Sequence, residues 1–227
     1  MDFSKEILAK NKELVSRINK IELKNICFED EVRLLLLENL TTEDCLLDCG
    51  KSLREYFDLA SKITQHIFTL DINKFEDYPD WFVDICDSNQ VAQIPIKFDV
   101  ISAFNLLEHC YDPFTAAHNL TSLLNSDGGI IYGSAPFLYP HHGPSDLSYQ
   151  DYFRFTRDSY ALLFPAAKKI ELFPTRGRLA TSINVLTLRY RFNLEVKFPF
   201  VAKIINSIFR KGLNQIQTSS FAFRITY

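Results

Sequence analysis

The chain has 227 residues, is 47% hydrophobic and carries a formal charge of −3. That length suits one α/β domain with added segments, and the apolar content excludes a chain that stays largely disordered. The charge balance offers no basic footprint for a long nucleic-acid surface, so no nucleic-acid partner is expected. The five cysteines, Cys27, Cys45, Cys49, Cys86 and Cys110, form no C-x-x-C pair, and no secretory leader precedes them. They point to buried thiols in a reduced, cytoplasmic compartment. No apolar run approaches the length of a membrane-spanning helix.

In chain order, residues 4–24 read as an amphipathic helix, with Ile7, Leu8, Leu14, Val15, Ile18 and Ile21 at helical spacing among lysines and glutamates. A second helix is predicted over 28–40, so residues 1–43 form a helical N-terminal extension. From residue 44 the period changes. Apolar runs of strand length stand at 45–48, 67–71, 81–85, 98–103 and 129–134, with helical segments at 52–62 and 112–124 between them. This alternation predicts βαβ units and a mostly parallel sheet with helices on both faces. Asp112 and Pro113 start the second of these helices, and Asp127-Gly128-Gly129 ends it. A further helix is predicted from Thr156, a strand over 168–173, and a last strand within 219–227, where Phe221, Phe223 and Ile225 alternate with smaller or polar residues.

In an open parallel sheet, ligands bind beyond the carboxyl ends of the strands, so the residues just after each apolar run carry the information. Asp48-Cys49-Gly50-Lys51-Ser52 follows the first run, with Gly50 able to take an unusual φ beside a ligand. Asp71-Ile72 ends the second run, where a carboxylate can accept both hydroxyls of a ribose. Asp84-Ile85 ends the third, where an acid or a backbone amide can meet an adenine edge. Each acid taken alone reads more simply as a turn or helix cap. Gly50-Lys51-Ser52 does not complete a P-loop, because Cys45 stands where that motif needs glycine.

The later runs are more specific. Phe98-Asp99-Val100-Ile101 leads to Leu107-Glu108-His109-Cys110-Tyr111-Asp112-Pro113, then to Leu124 and Gly128-Gly129, and closes with Asp151-Tyr152-Phe153-Arg154-Phe155-Thr156. This succession over residues 44–173 resembles the class I S-adenosylmethionine-dependent methyltransferases of the type 11 group. The likeness is closest to members found with cell-surface polysaccharide genes. It implies a Rossmann-like sheet of seven strands over 44–227, with residues 177–212 inserted as a cap before the last strand. It also implies S-adenosylmethionine as cofactor and methyl transfer to a small-molecule or glycan-type acceptor. By position, Asp48 and Gly50 would line its methionine part, Asp71 would hold its ribose, Asp84 and Ile85 would flank its adenine, and Asn105 and Leu106 would close over its sulfonium, with Cys49, Lys51, Ser52 and Ile72 also among the cofactor-binding residues. The loop departs from the family at Ser52, where a second glycine is usual, and Lys51 or Arg54 can instead pair with the methionine carboxylate. The same departure motivates the alternative of a catalytically inactive methyltransferase-like scaffold.

Several groups keep more than one reading. Glu108-His109 is either a base pair at the methyl group or a helix cap. His141 and His142 lie in a polar loop where acceptors enter, as substrate contacts or as solvated residues; with His109 they are the candidate catalytic bases. No metal is expected, because related metal-using enzymes carry a further acid where this chain has Asn105. Asp151 and Arg154 read as an ion pair fixing the loop. Apolar residues interleaved with lysines and arginines over 177–212 suit a helix packed over the cleft, a homodimer interface, or peripheral contact with the inner face of an anionic membrane.

Overall fold

A computed structural model describes residues 3–143, 147–177, 181, 182, 200 and 218–227. Its strands are β1 (Glu22–Leu23), β2 (Leu46–Cys49), β3 (Ile67–Asp71), β4 (Trp81–Phe82), β5 (Val100–Phe104), β6 (Ile130–Pro136), β7 (Lys169–Thr175) and β8 (Ser220–Thr226). The helices are α1 (Phe3–Asn19), α2 (Glu29–Asn39), α3 (Phe57–Ile63), α4 (Ser88–Val91), α5 (Pro113–Ser122) and α6 (Tyr160–Leu163). The cap expected over 177–212 falls almost wholly outside the described residues. Among those described, no helix is long and apolar enough to cross a membrane.

All eight strands join one sheet in the order β1-β7-β8-β6-β5-β2-β3-β4. Every pairing is parallel except those of β8, which runs antiparallel to both β6 and β7. The central strands β2 and β5 are buried along their whole length, which is why they read as continuous apolar runs without alternation. Ala116, Ala117 and Leu120 of α5 pack on one face with Leu47, Ile101 and Phe223. Val32, Leu36 and Leu37 of α2 pack on the other with Leu46, Val100, Phe104 and Tyr132. Asp112 caps α5 as expected: its Oδ1 accepts the Thr115 N–H at 3.1 Å and Pro113 occupies the first turn.

The sheet has eight strands where the sequence predicts seven. The extra one is β1, which the helical reading of 4–24 absorbed; α1 stops at Asn19 and the chain straightens against β7. Its attachment is ionic as well as backbone: Lys24 Nζ lies 2.7 Å from both Glu22 and the buried Glu171. The N-terminal segment therefore supplies an edge strand and a core helix to the same sheet. The run 81–85 keeps strand geometry only over Trp81–Phe82, because β4 pairs on one side alone. The helix predicted over 52–62 opens with a tight 3-10 turn at Arg54–Tyr56, since Gly50 and Lys51 take positive φ before it and Arg54 does so at its first residue.

Candidate active site

The chain leaves β2 toward β3 on one side and returns to β5 on the other. The carboxyl ends of these strands therefore diverge at a topological switch point. A cleft of about 990 Å³ opens there, lined by residues from β3, from the loops after β2 and β5, and from the start of α2.

The loop after β2 forms its floor. Gly50 has φ +69°, and a Cβ there would meet only Leu106 Cδ1 at 3.5 Å; backbone conformation rather than crowding calls for glycine. Asp48 and Cys49, placed against the cofactor by the resemblance, are buried beneath this loop and do not line the cleft. Asp48 Oδ1 accepts the Ser52 hydroxyl at 2.8 Å and the Leu53 N–H at 3.1 Å, so this carboxylate organises the loop from below. The Ser52 hydroxyl also meets Ser102 Oγ. Ser52, at the position where the resemblance expects a second glycine, thus turns its hydroxyl inward to Asp48 and Ser102.

Burial pushes the Asp48 pKa up to about 6, against the pull of its Ser52 and Leu53 hydrogen bonds. The folded state then holds this proton more tightly than the unfolded chain, with its ordinary value of 3.8. The associated stability is full below that value and is lost as pH rises through about 6. At one pKa unit per 1.36 kcal/mol, the loss is about 3 kcal/mol at most. An Asp48→Asn variant keeps the Oδ1 acceptor, so its urea midpoint should decline less than that of the parent protein from pH 4 to 7. Parallel profiles for the two proteins would contradict the assignment.

A buried arginine that the sequence reading did not single out ties α2 to the loop. Arg33 is 1% exposed. Its Nε donates to the Ser52 carbonyl at 3.0 Å, its Nη1 to Asp30 at 2.9 Å, and its Nη2 lies 2.6 Å from Glu29. The guanidinium also stacks 4.4 Å above the Phe104 ring. Glu29 in turn accepts from Asn105 Nδ2 at 3.0 Å, so α2 clasps the loops after both β2 and β5. The only trace in the sequence is a charge inside an apolar helical stripe.

Along the cleft, Asp71 Oδ1 accepts the Asn73 N–H at 2.7 Å, and its Oδ2 accepts the Tyr78 hydroxyl at 3.2 Å. Tyr78 also accepts the Lys51 N–H at 3.0 Å, linking the first loop to the acid. The Lys51 ammonium lies 4.6 Å from the Phe75 ring centroid and 4.3 Å from that of Tyr78. Asp84 and Ile85 follow β4; Asp84 Oδ1 accepts the Cys86 N–H at 2.8 Å. Asn105, at φ +52°, and Leu106 follow β5. Gly50, Lys51, Ser52, Asp71, Ile72, Asp84, Ile85, Asn105 and Leu106 all border the one cleft. Tyr78 and Phe75 belong to the same arrangement and were not anticipated, since neither lies at a strand end.

At the far end, His109 and His142 line the cleft, while His141 is exposed and does not. Their rings meet edge to face at 4.9 Å. Between them lies Glu108, fully buried, with Oε1 3.9 Å from His109 Nε2 and 3.7 Å from His142 Nε2. Burial raises the Glu108 pKa. Asp151, its side chain fully buried, lies 3.1 Å from His142 Nδ1 and accepts the His142 backbone N–H at 2.9 Å. Arg154 grips it through both oxygens, with Nη2 2.6 Å from Oδ2. Burial opposes ionisation of Asp151, yet Arg154 and the His142 contacts carry its pKa down to about 2. The ion pair predicted at Asp151 and Arg154 thus exists, and it also fixes a histidine of the cleft.

This sheet order, with one antiparallel strand between β6 and β7 and a cleft at the switch point, is the Rossmann-like fold of the class I methyltransferases. Solved structures share it at low identity. A methyltransferase in complex with the Haloferax volcanii Trm112 methyltransferase activator aligns over 87% of this chain and 90% of its own, with 15% identity and a TM-score of 0.51. The N-methyltransferase NodS from Bradyrhizobium japonicum, in complex with S-adenosyl-l-homocysteine, aligns over 87% and 84%, with 11% identity and a TM-score of 0.51. A SAM-dependent methyltransferase from Archaeoglobus fulgidus aligns over 88% and 94%, with 16% identity and a TM-score of 0.50. No protein-family model and no curated protein matches the sequence.

Proposed function

We propose that this chain transfers a methyl group from S-adenosylmethionine to an oxygen, nitrogen or carbon atom of a small-molecule or glycan-type acceptor. One observation carries this reading. A left-handed glycine turn, an acid ending β3, and the segments at Asp84-Ile85 and Asn105-Leu106 border one cleft that ends at a histidine pair. The cleft volume and its donor set fit a nucleoside with an amino-acid tail. The bound cofactor supplies a methyl group activated by its sulfonium.

The protein's part is to bind and align. Asp71 accepts the ribose hydroxyls, exchanging its bonds to Asn73 and Tyr78 for them. Gly50, Lys51 and Ser52 lie along the methionine part, with Arg54 available to its carboxylate. Ile72 and Ile85 pack the ribose and adenine, and Asn105 and Leu106 close over the sulfonium. Asp48 and Cys49 act from beneath the loop. Rate enhancement comes mainly from holding the reacting atoms in line. An acceptor hydroxyl would give up its proton near His109 and His142. The tyrosines Tyr111, Tyr139, Tyr149 and Tyr152, which also border the cleft, pair an apolar ring with a polar tip and suit a sugar. The five free thiols agree with a cytoplasmic site of action.

The test is calorimetric titration with S-adenosylmethionine and S-adenosylhomocysteine. We expect micromolar binding, weakened at least about thirtyfold by Asp71→Ala, as removal of a charged hydrogen-bond acceptor implies. A folded protein that binds neither compound would overturn the enzyme reading and favour a non-catalytic scaffold.

A further inference from the structure

We infer that Glu108, His109 and His142 form a binding site for one divalent transition-metal ion at the acceptor end of the cleft. These are the residues whose ligand atoms converge, all within 4.8 Å of one another.

The tautomers carry the argument. His109 Nδ1 faces the Gln150 carbonyl at 2.8 Å, and His142 Nδ1 faces the Pro140 carbonyl at 3.3 Å and Asp151 Oδ2 at 3.1 Å. Each of those oxygens only accepts, so each Nδ1 carries a hydrogen, and each ring in its neutral form turns a bare Nε2 lone pair inward. Both Nε2 atoms approach the same Glu108 oxygen, Oε1. Neither carboxylate oxygen of this fully buried glutamate has a hydrogen-bond partner among the described residues. Two lone pairs and a carboxylate crowded around one point repel, and either a shared proton or a bound metal cation relieves them; the metal uses all three donors at once. At 3.7 and 3.9 Å the separations are too long for hydrogen bonds. They are a few tenths of an ångström wider than the roughly 3.4 Å that tetrahedral coordination of nitrogen and oxygen donors requires.

The outer contacts match those of metal-bound imidazoles, whose second nitrogen donates to a carbonyl or carboxylate. Gln150 does this for His109. The Pro140 carbonyl does it for His142, with the Asp151 carboxylate, held by Arg154, beside the same nitrogen. Two imidazoles and one carboxylate suit zinc, manganese or iron better than magnesium. The absence of an acid at position 105 argued against a metal in the sequence, but Asn105 faces Glu29. The third donor is instead His142, brought in by the loop after β6. Both histidines line the cleft, so the open side of the ion faces the acceptor, and a hydroxyl bound there would lose its proton more readily. Only this last consequence rests on the methyl-transfer reading; the site itself does not.

The experiment uses the full chain stripped of metal with a chelator and titrated with zinc, manganese and magnesium chlorides by calorimetry, with cobalt substitution followed by absorbance. We expect one zinc ion per chain, a raised Tm, and cobalt d–d bands without thiolate charge transfer. Glu108→Gln and His109→Ala should each weaken zinc by at least about 10–100-fold, the range for loss of an outer contact alone, while His141→Ala leaves it unchanged. His109 is near the surface of the cleft, so its variant stays informative if Glu108→Gln does not fold. No stoichiometric zinc, a thiolate spectrum, or equal affinity in the His109→Ala variant would overturn the site. Titration with S-adenosylhomocysteine in the same preparations separates the two proposals: zinc bound without nucleoside retains the metal site and removes the methyltransferase.

Discussion

A Gly133→Ala variant is expected to lose about 3 kcal/mol or more of stability, at the upper end of the usual penalty for overpacking. Gly133 lies in β6, flanked by β5 and β8. A Cβ there would stand 2.4 Å from Phe223 Cζ and 2.5 Å from the Ala103 carbonyl oxygen. Phe223 is fully buried among Tyr160, Phe164 and other core residues, so its ring has nowhere to retreat. The Ala103 oxygen belongs to the neighbouring backbone and cannot move without opening the ladder. For a chain of this size, that loss lowers Tm by roughly 6–12 °C. Thermal unfolding followed by circular dichroism measures it directly. Adding Phe223→Leu should recover only part of the loss, because it relieves the ring contact and leaves the carbonyl. An unchanged Tm for Gly133→Ala would show that β6 and β8 are not packed this closely.

Replacing Arg33 with methionine is expected to cost about 3–5 kcal/mol, the range for breaking a buried ion pair from one side. Methionine restores much of the volume but leaves the Ser52 carbonyl without its Arg33 donor and Glu29 without its countercharge, both described above. The damage should not stop at stability. Arg33 is the link between α2 and the loop that carries Gly50, so the nucleoside affinity of the folded variant should fall about tenfold or more. Arg33→Lys keeps the charge without the planar fork and should recover less than half of the stability. A double variant with Glu29→Gln removes the orphaned carboxylate and should be more stable than Arg33→Met alone. Urea unfolding orders the four proteins; a neutral Arg33→Met would mean that α2 is held by its apolar face only.

The sheet itself was legible from residues 44 to 173 because its signals are local. A buried parallel strand must be a short apolar run, and a crossover helix must begin with a cap such as Asp112. Hence the apolar run Ile67–Asp71 matches β3 to the residue, and those of β2, β5 and β6 match within one or two residues at each end. The acids and glycine that follow those runs border the cleft for the same reason: strand ends meet at the switch point whatever the loop details. Asp48 and Cys49 were the exceptions. In a strand, successive side chains turn to opposite faces, and here both faces are covered, so these two residues point into the core rather than along the strand into the cleft.

What escaped the sequence depended on contacts between distant segments. β1 is two residues long and has no periodicity to read; Lys24 and Glu171, far apart in the chain, hold it. Arg33 looks like a flaw in an apolar helix until the Ser52 carbonyl and Phe104 ring appear beside it. His109 and the pair His141-His142 were both identified from sequence, but nothing in their spacing told which of the pair would face Glu108. The loop after β6 made that choice, through Asp151 and Arg154. The sequence by itself determined the layered, mostly parallel sheet and the edge at which the cleft opens, because hydrophobic period and strand-end chemistry are local properties; the reversed direction of β8 was not among them. Only the tertiary structure decided which charges are buried and which lone pairs converge, because desolvation and pairing depend on what the rest of the chain places within a few ångströms.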